Sequence, residues 1–544
     1  MNNSTGPNDS ENRFPLRAQR TLLKRPAISR HARRRGLLIG TALAGIAVVT
    51  SAGAQEWTGQ TSSDYTDGSN WAGGAPPNST IAPVVFGASG NTTVNLATPQ
   101  PAGYYFAGSV TFNDPASAYT VNVSNQAYLN ISGGVNNTSG VTQNFSVTGT
   151  GGYASEIIFS NSNAGSNVVY TANADGTIQF NSAGGSASGA DASFVLNGGG
   201  IALSGSGTLA LGSVEGTGIL AYNGNPNGSA GTIEIGGLNT STTLDAQIQE
   251  QTGTLSITKV GSGTLTLTGA SDYTGGTFLK AGALSLDNNA ALGSGSVSAN
   301  GGTTIDIQDG ITITNALTMY GSVILNVSSG TGTYAGEISD FEFAGIIKTG
   351  AGTLVLDSIS NTSFNSFSGG ATISDGILRI MNSNSLGATG SGQVTLDGGT
   401  LQAGADNLVI SNSQIAFGAS GGAIDTQGFN LSTGANMIDA EVQHGTFKKL
   451  GTGTLTITGY ADSNTYSTAT DVAEGTLKAG DENIFSKNSA YTIENGATLS
   501  LGNFDQAIGS LAGAGSVDAG TATLTTGNDK VQRCFPVTSP GPVG

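Results

Sequence analysis

Few residues in this 544-residue chain carry reactive chemistry. The motif G-x-S-x-G occurs once, at Gly418-Ala419-Ser420-Gly421-Gly422. A serine nucleophile there would need a general base and a sharp strand-to-helix elbow. The chain has two histidines, His31 and His444, and only His444 lies beyond the N-terminal segment. It sits in Gln443-His444-Gly445 and reads as a turn residue. With 85 Gly and abundant Ser, a chance match to the motif is expected. Paired carboxylates at Asp306/Asp309 and Glu337/Asp340 have the spacing that acid–base cleavage of a polysaccharide could use. Such sites also want cationic partners, and Arg379 and Arg533 are the only Arg after residue 35. Carboxylates in turns or on the surface account for both pairs. One Cys, Cys534, excludes a disulfide scaffold and a cysteine zinc module. No G-G-x-G-x-D calcium repeat occurs. Tyr104-Tyr105-Phe106 could stack on a sugar, or in a core or cap. These residues assign no catalytic, cofactor or metal site, and the binding residues are left unknown.

The elements that would position these groups are short strands. Thr264-Leu265-Thr266-Leu267-Thr268 alternates Leu on one face with Thr on the other, and Thr353–Leu356 and Thr454–Thr458 repeat the pattern. Asp175-Gly176, Asp309-Gly310, Asp375-Gly376 and Asn495-Gly496 mark turns. Sustained helical spacing is absent, and the richness in Gly, Ser and Thr opposes helices.

A longer self-similarity overlies the alternation. Blocks start at Lys259-Val260-Gly261-Ser262-Gly263-Thr264-Leu265, Lys348-Thr349-Gly350-Ala351-Gly352-Thr353-Leu354 and Lys449-Leu450-Gly451-Thr452-Gly453-Thr454-Leu455. An aromatic follows in each: Tyr273, then Phe364 or Phe367, then Tyr466. Within a block, strand centres recur at roughly 20 residues, a solenoid period. A five-residue strand with one apolar face cannot stand alone, so the expected fold is all-β: a single-stranded right-handed parallel β-helix of about 20 turns. A β-propeller, the main competitor, would require meander hairpins and a 40–50-residue blade period.

Charge divides the chain. Nine of 19 Lys and Arg precede residue 36, and from residue 55 onward ten basic residues face 34 acidic ones, a net of −24. No Lys or Arg lies between Gln55 and Thr258. Such a body should repel nucleic acid and anionic lipid. Arg33-Arg34-Arg35, an apolar run over Gly36–Val49 and the small-x-small Ala52-Gly53-Ala54 form the pattern of a signal peptide over residues 1–54, exported by the general or the twin-arginine route. The apolar run is about 14 residues, short of the ~20 of a membrane-spanning helix, and no second such run follows.

The blocks Lys259–Thr277, Lys348–Thr372 and Lys449–Thr470 resemble the autotransporter-associated β-strand repeat, K-x-G-x-G-T-L-x-L-x-G-x-x-x-Y-x-G-G-T. The second has an insertion and Phe for Tyr. The third has Ser467-Thr468-Ala469-Thr470 where the Gly-Gly pair belongs. The opening, Trp57 and Asp67-Gly68-Ser69-Asn70-Trp71, resembles the start of the same passenger domains, the exported parts of surface proteins of Gram-negative bacteria. The resemblance implies a non-enzymatic passenger at the cell surface, adhesive or structural, without cofactors, whose partner is a host or sister-cell surface, a polysaccharide or a protein. A β-helical polysaccharide lyase or hydrolase and a non-functional truncated remnant are the alternatives. The division expected is a signal peptide (1–54), an N-terminal β-helix part (55–250), a repeat-bearing part (251–529) and an aberrant or disordered tail (530–544). The resemblance also implies a C-terminal membrane barrel; none is found after residue 529, which would leave the chain in the periplasm.

Overall fold

A computed structural model describes residues 53–97, 103–182, 187–224, 228–358, 364–440 and 445–527. The segments read as signal peptide and aberrant tail, apart from Gly53 and Ala54, lie outside the described residues.

The described chain is a parallel β-solenoid of about 18 turns. Every pairing between its strands is parallel, which excludes propeller blades built of antiparallel meanders. One column of register partners shows the winding. Leu265, Leu284, Ile305, Leu325, Lys348, Ile373, Leu396, Phe417 and Asp439 are successive register partners, 19–25 residues apart. Nearer the N-terminus Val94, Val121 and Phe145 are separated by 27 and 24 residues. The turns number slightly fewer than the 20 expected.

Alternation determines burial. Leu265 and Leu267 are buried while Thr264, Thr266 and Thr268 remain partly exposed. Tyr104-Tyr105-Phe106 obeys the same rule, with Tyr105 in the core and its neighbours outside. The buried residues form one continuous core from Trp57 to Ile508. Tight corners fall on residues that tolerate positive φ, as at Gly282 (φ +71), where a Cβ would come within 2.5 Å of the carbonyl oxygens of Gly261 and Gly263.

The N-terminal coil is covered by its own aromatic cluster. Trp57 and Trp71 meet edge to face at 5.2 Å, and Tyr65 meets Trp71 at 4.9 Å. The buried amide of Asn70 ties down the intervening loop. Its Oδ1 accepts from the backbone N–H of Thr61 (3.0 Å) and Ser62 (2.9 Å), and its Nδ2 donates to the Asp64 carbonyl (2.9 Å). The Trp-containing opening thus covers the apolar end of the stack, a place where an unpaired edge would invite association.

Candidate binding surface

Three of the four candidate carboxylates, those of Asp306, Asp309 and Asp340, bond to residues in neighbouring coils. The Asp306 carboxylate accepts from Ser285 Oγ (2.9 Å), Gln308 Nε2 (2.6 Å) and Asn326 Nδ2 (2.6 Å), a polar ladder climbing the outside of the sheet. Asp309 accepts from the Thr331 N–H at 2.8 Å in the adjacent coil. Asp340 accepts from the Ala344 N–H (2.8 Å) and Ser368 Oγ (2.7 Å). Glu337 contributes its carbonyl to the Leu317 N–H (2.8 Å). Arg379 donates to Gln402 Oε1 at 2.5 Å, and Gln402 donates to Asp425 at 2.8 Å. Ser420 lies in a turn between the strands Gln414–Phe417 and Gly422–Asp425, its N–H donating to Asp397 at 2.9 Å; there is no helix to form a nucleophile elbow. His444 lies outside the described residues. Among the described residues no three His, Cys, Asp or Glu gather closely enough to hold a metal ion.

The repeat residues prove to be internal fastenings. Lys259, Lys348 and Lys449 are all buried in columns of aliphatic residues: Lys348, for instance, is flanked by Leu325 and Ile373. Each stem packs in the core and each ammonium turns back to cap carbonyls at the corner. Lys348 Nζ donates to the carbonyls of Thr349 (2.7 Å), Gly350 (2.6 Å) and, one coil on, Asp375 (3.2 Å). Lys259 and Lys449 repeat the arrangement with Val260, Gly261 and Ala281, and with Leu450, Gly451 and Glu474. Burial brings all three ammonium groups down to about 8. The sequence marked these lysines as block starts, but nothing local distinguishes an inward lysine from an outward one.

A second fastening joins the aromatic to the last Thr of the motif. Tyr273 OH shares a hydrogen bond with Thr277 Oγ1 at 2.5 Å, and Tyr466 OH with Thr470 Oγ1 at 3.1 Å, both inside the core. The middle repeat has Phe367 and Ala371 at these positions, so both polar groups are absent together. Phe367, fully buried, is therefore the counterpart of the two tyrosines, whereas Phe364 is 49% exposed. A third fastening is a carboxylate reaching the residue after the aromatic: Glu250 to Thr274, Asp340 to Ser368, Asp439 to Ser467. In the third repeat, where Thr468-Ala469 stands for Gly-Gly, the carboxylate reaches one residue further. Asp439 accepts from the N–H and hydroxyl of both Ser467 and Thr468, at 2.7 and 2.8 Å and at 3.2 and 2.7 Å. Burial opposes ionisation of Asp439, but these hydrogen bonds prevail and hold its pKa below the ordinary value.

What remains for recognition is the outer surface, with rows of Ser, Thr and Asn interrupted by aromatic groups. Tyr104 stacks on Tyr128 (4.9 Å) and lies near-parallel to Phe106 at 6.1 Å. Beyond Tyr128 in the same row is Glu156, whose carboxyl is pushed up by burial. A second aromatic line carries Phe278, Tyr320 and Phe341, the last two 5.8 Å apart. Phe278 and Tyr320 bound an open trough of about 490 Å³ with Ser256, Ser298 and Asn300 in its lining. Lys280 sits 5.7 Å over the Phe278 ring and pairs with Glu234 at 3.4 Å. Among the described residues no helix is long and apolar enough to cross a membrane.

Comparison with known proteins agrees with this architecture. The passenger-associated transport repeat matches residues 257–286, 346–380 and 447–479, the three segments that contain the lysine corners. The chain is 30% identical over 332 residues to the adhesin BmaC autotransporter of Brucella suis biovar 1 (strain 1330). That match takes in 56% of this chain and 9% of the relative, so the chain spans less than a tenth of the relative's length. No solved structure matches. Three transport repeats embedded in a parallel solenoid, together with distant homology to an autotransporter adhesin, indicate an autotransporter passenger domain.

Proposed function

We propose that this passenger is exported by a Gram-negative bacterium through the signal peptide at residues 1–54, displayed outside the cell, and serves in adhesion without enzymatic activity. A right-handed coil, the hand of parallel crossovers generally, belongs to the same reading. The observation that carries it is the distribution of polar groups. The carboxylates of Asp306, Asp309 and Asp340 act as hydrogen-bond acceptors between coils, while the outer surface offers repeated hydroxyl, amide and aromatic groups. A surface of that kind binds through many weak contacts whose avidity grows with copy number. The adhesin name of the relative supports the same role.

The test uses the purified chain on beads and follows their retention on epithelial cells and on the producing bacterium, alongside release of reducing ends or unsaturated uronate from polygalacturonate. Retention above that of albumin-coated beads, with no polymer cleavage, is the expected result. Cleavage would establish the lyase or hydrolase alternative. Neither retention nor cleavage would refute adhesion and favour an inactive remnant.

A further inference from the structure

We infer that the trough between Phe278 and Tyr320 is a binding site for an extended, uncharged polysaccharide. The inference rests on the adhesive reading above and names a ligand class for one part of the surface.

The first observation is a departure from the repeat. Phe278 follows the last Thr of the motif and points outward, and the same position is Thr372 in the second repeat and Asp471 in the third. All three lie in strands of the same register relative to the buried lysines. Folding therefore does not demand an aromatic there. Tyr320 is 48% exposed and Phe341 60% exposed, so neither ring is committed to the core.

The second observation is geometric. Thr258, Phe278, Ser298, Thr318 and Ser339 form one outward row, and Asn300, Tyr320 and Phe341 a second beside it. Phe278 to Phe341 climbs three coils, about 14 Å at the strand spacing. Ring-bearing coils thus stand on both sides of the coil that carries Ser298 and Asn300, with Tyr320 and Phe341 on successive coils above it. A polysaccharide presents the complementary pattern, apolar C–H faces alternating with hydroxyl edges, repeated at a rise close to one coil.

The third observation concerns charge. Lys280 is already paired with Glu234, and Glu342 next to Phe341 is exposed, so the rim supplies no free cation for a uronate or sulfated chain. The acidic body would repel such chains as well. A peptide partner would require a more enclosed apolar pocket than this open trough of about 490 Å³.

The full chain is titrated with cellohexaose, hexa-N-acetylchitohexaose and a maltohexaose series, with polygalacturonate as the anionic control, followed by calorimetry and intrinsic fluorescence. At least one neutral series should bind. Phe278→Thr, which copies the second repeat, and Tyr320→Ser should each weaken it about tenfold or more with unchanged melting. Tyr460→Ser, at an exposed aromatic outside both lines, should leave it unchanged. No binding of any neutral series, stronger binding of polygalacturonate, or binding indifferent to both trough variants would each overturn the proposal. So would concentration-dependent self-association lost in those variants, which would assign the trough to a second copy. If the variants lose sugar binding but bead retention on cells persists, the trough is a glycan site apart from adhesion. If wild-type beads are not retained while sugar still binds, the adhesive reading fails and the glycan site stands.

Discussion

The Tyr–Thr fastening allows a sharp test, because the chain carries both the polar and the apolar version. Tyr273 is fully buried, and its hydroxyl meets Thr277 Oγ1 at 2.5 Å. Thr277→Val retains the volume and removes the hydroxyl, leaving a phenol O–H buried without that partner. Such an orphan costs about 1–3 kcal/mol. Tyr273→Phe leaves the smaller Thr hydroxyl behind and should cost about 1 kcal/mol. The double variant removes both groups, as the Phe367 and Ala371 of the middle repeat already do. It should therefore cost less than the sum of the single changes by about 1–2 kcal/mol. Solenoid coils contact only their neighbours, so a global melt would average the effect over distant coils. Hydrogen exchange read by mass spectrometry on peptides within 257–286 resolves it, with peptides from 346–380 as the internal reference. Additive costs, or a double variant less stable than either single by their full sum, would refute the idea that the two groups act as a unit.

Other consequences follow from the same fastenings. The buried lysines give a pH dependence of definite sign. Their folded values, about 8, lie below the ordinary 10.5, so the burial penalty is at full strength below about 8 and fades as pH rises to 10.5. The urea midpoint should therefore rise from pH 8 to 10, Lys348→Met should remove about a third of that rise, and above pH 10 the buried tyrosines, raised by burial, should reverse it. A midpoint flat or falling between pH 8 and 10 would contradict the buried cages. Asp439→Ala should cost about 2–4 kcal/mol and open the chain near 465–470 to protease, because four donors lose their acceptor. Asp439 is held below its ordinary value, so its share of stability is present above about pH 4 and is lost as pH falls through the folded value. Trp71→Ala should cost about 3–5 kcal/mol at the N-terminal coil and produce concentration-dependent association in size-exclusion chromatography; a monodisperse variant would contradict its covering role.

Much of the site chemistry was legible only as an absence. The sequence raised Asp306/Asp309 and Glu337/Asp340 as pairs by proximity, and the structure directs Asp306, Asp309 and Asp340 to partners about one coil away or across a corner. Nearness along the chain is a poor guide in a solenoid, because an outward carboxylate meets residues roughly 20 positions distant. The ambiguity between Phe364 and Phe367 had the same origin, and burial resolves it in favour of Phe367. Tyr104-Tyr105-Phe106 offered both a stacking and a core role, and alternation distributes the two roles among neighbouring residues.

By itself the sequence determined the strands, their inward faces, the corner glycines and the winding. Each of these depends on residues within a few positions, where period-two alternation and tolerance of positive φ act locally. Only the tertiary structure decided that three lysines turn inward, that a carboxylate from the preceding coil reaches the residue after each repeat aromatic, and that Phe278 and Tyr320 border one trough. Those outcomes depend on which residues stand one and two coils apart, and that register accumulates from every intervening coil of 19–25 residues.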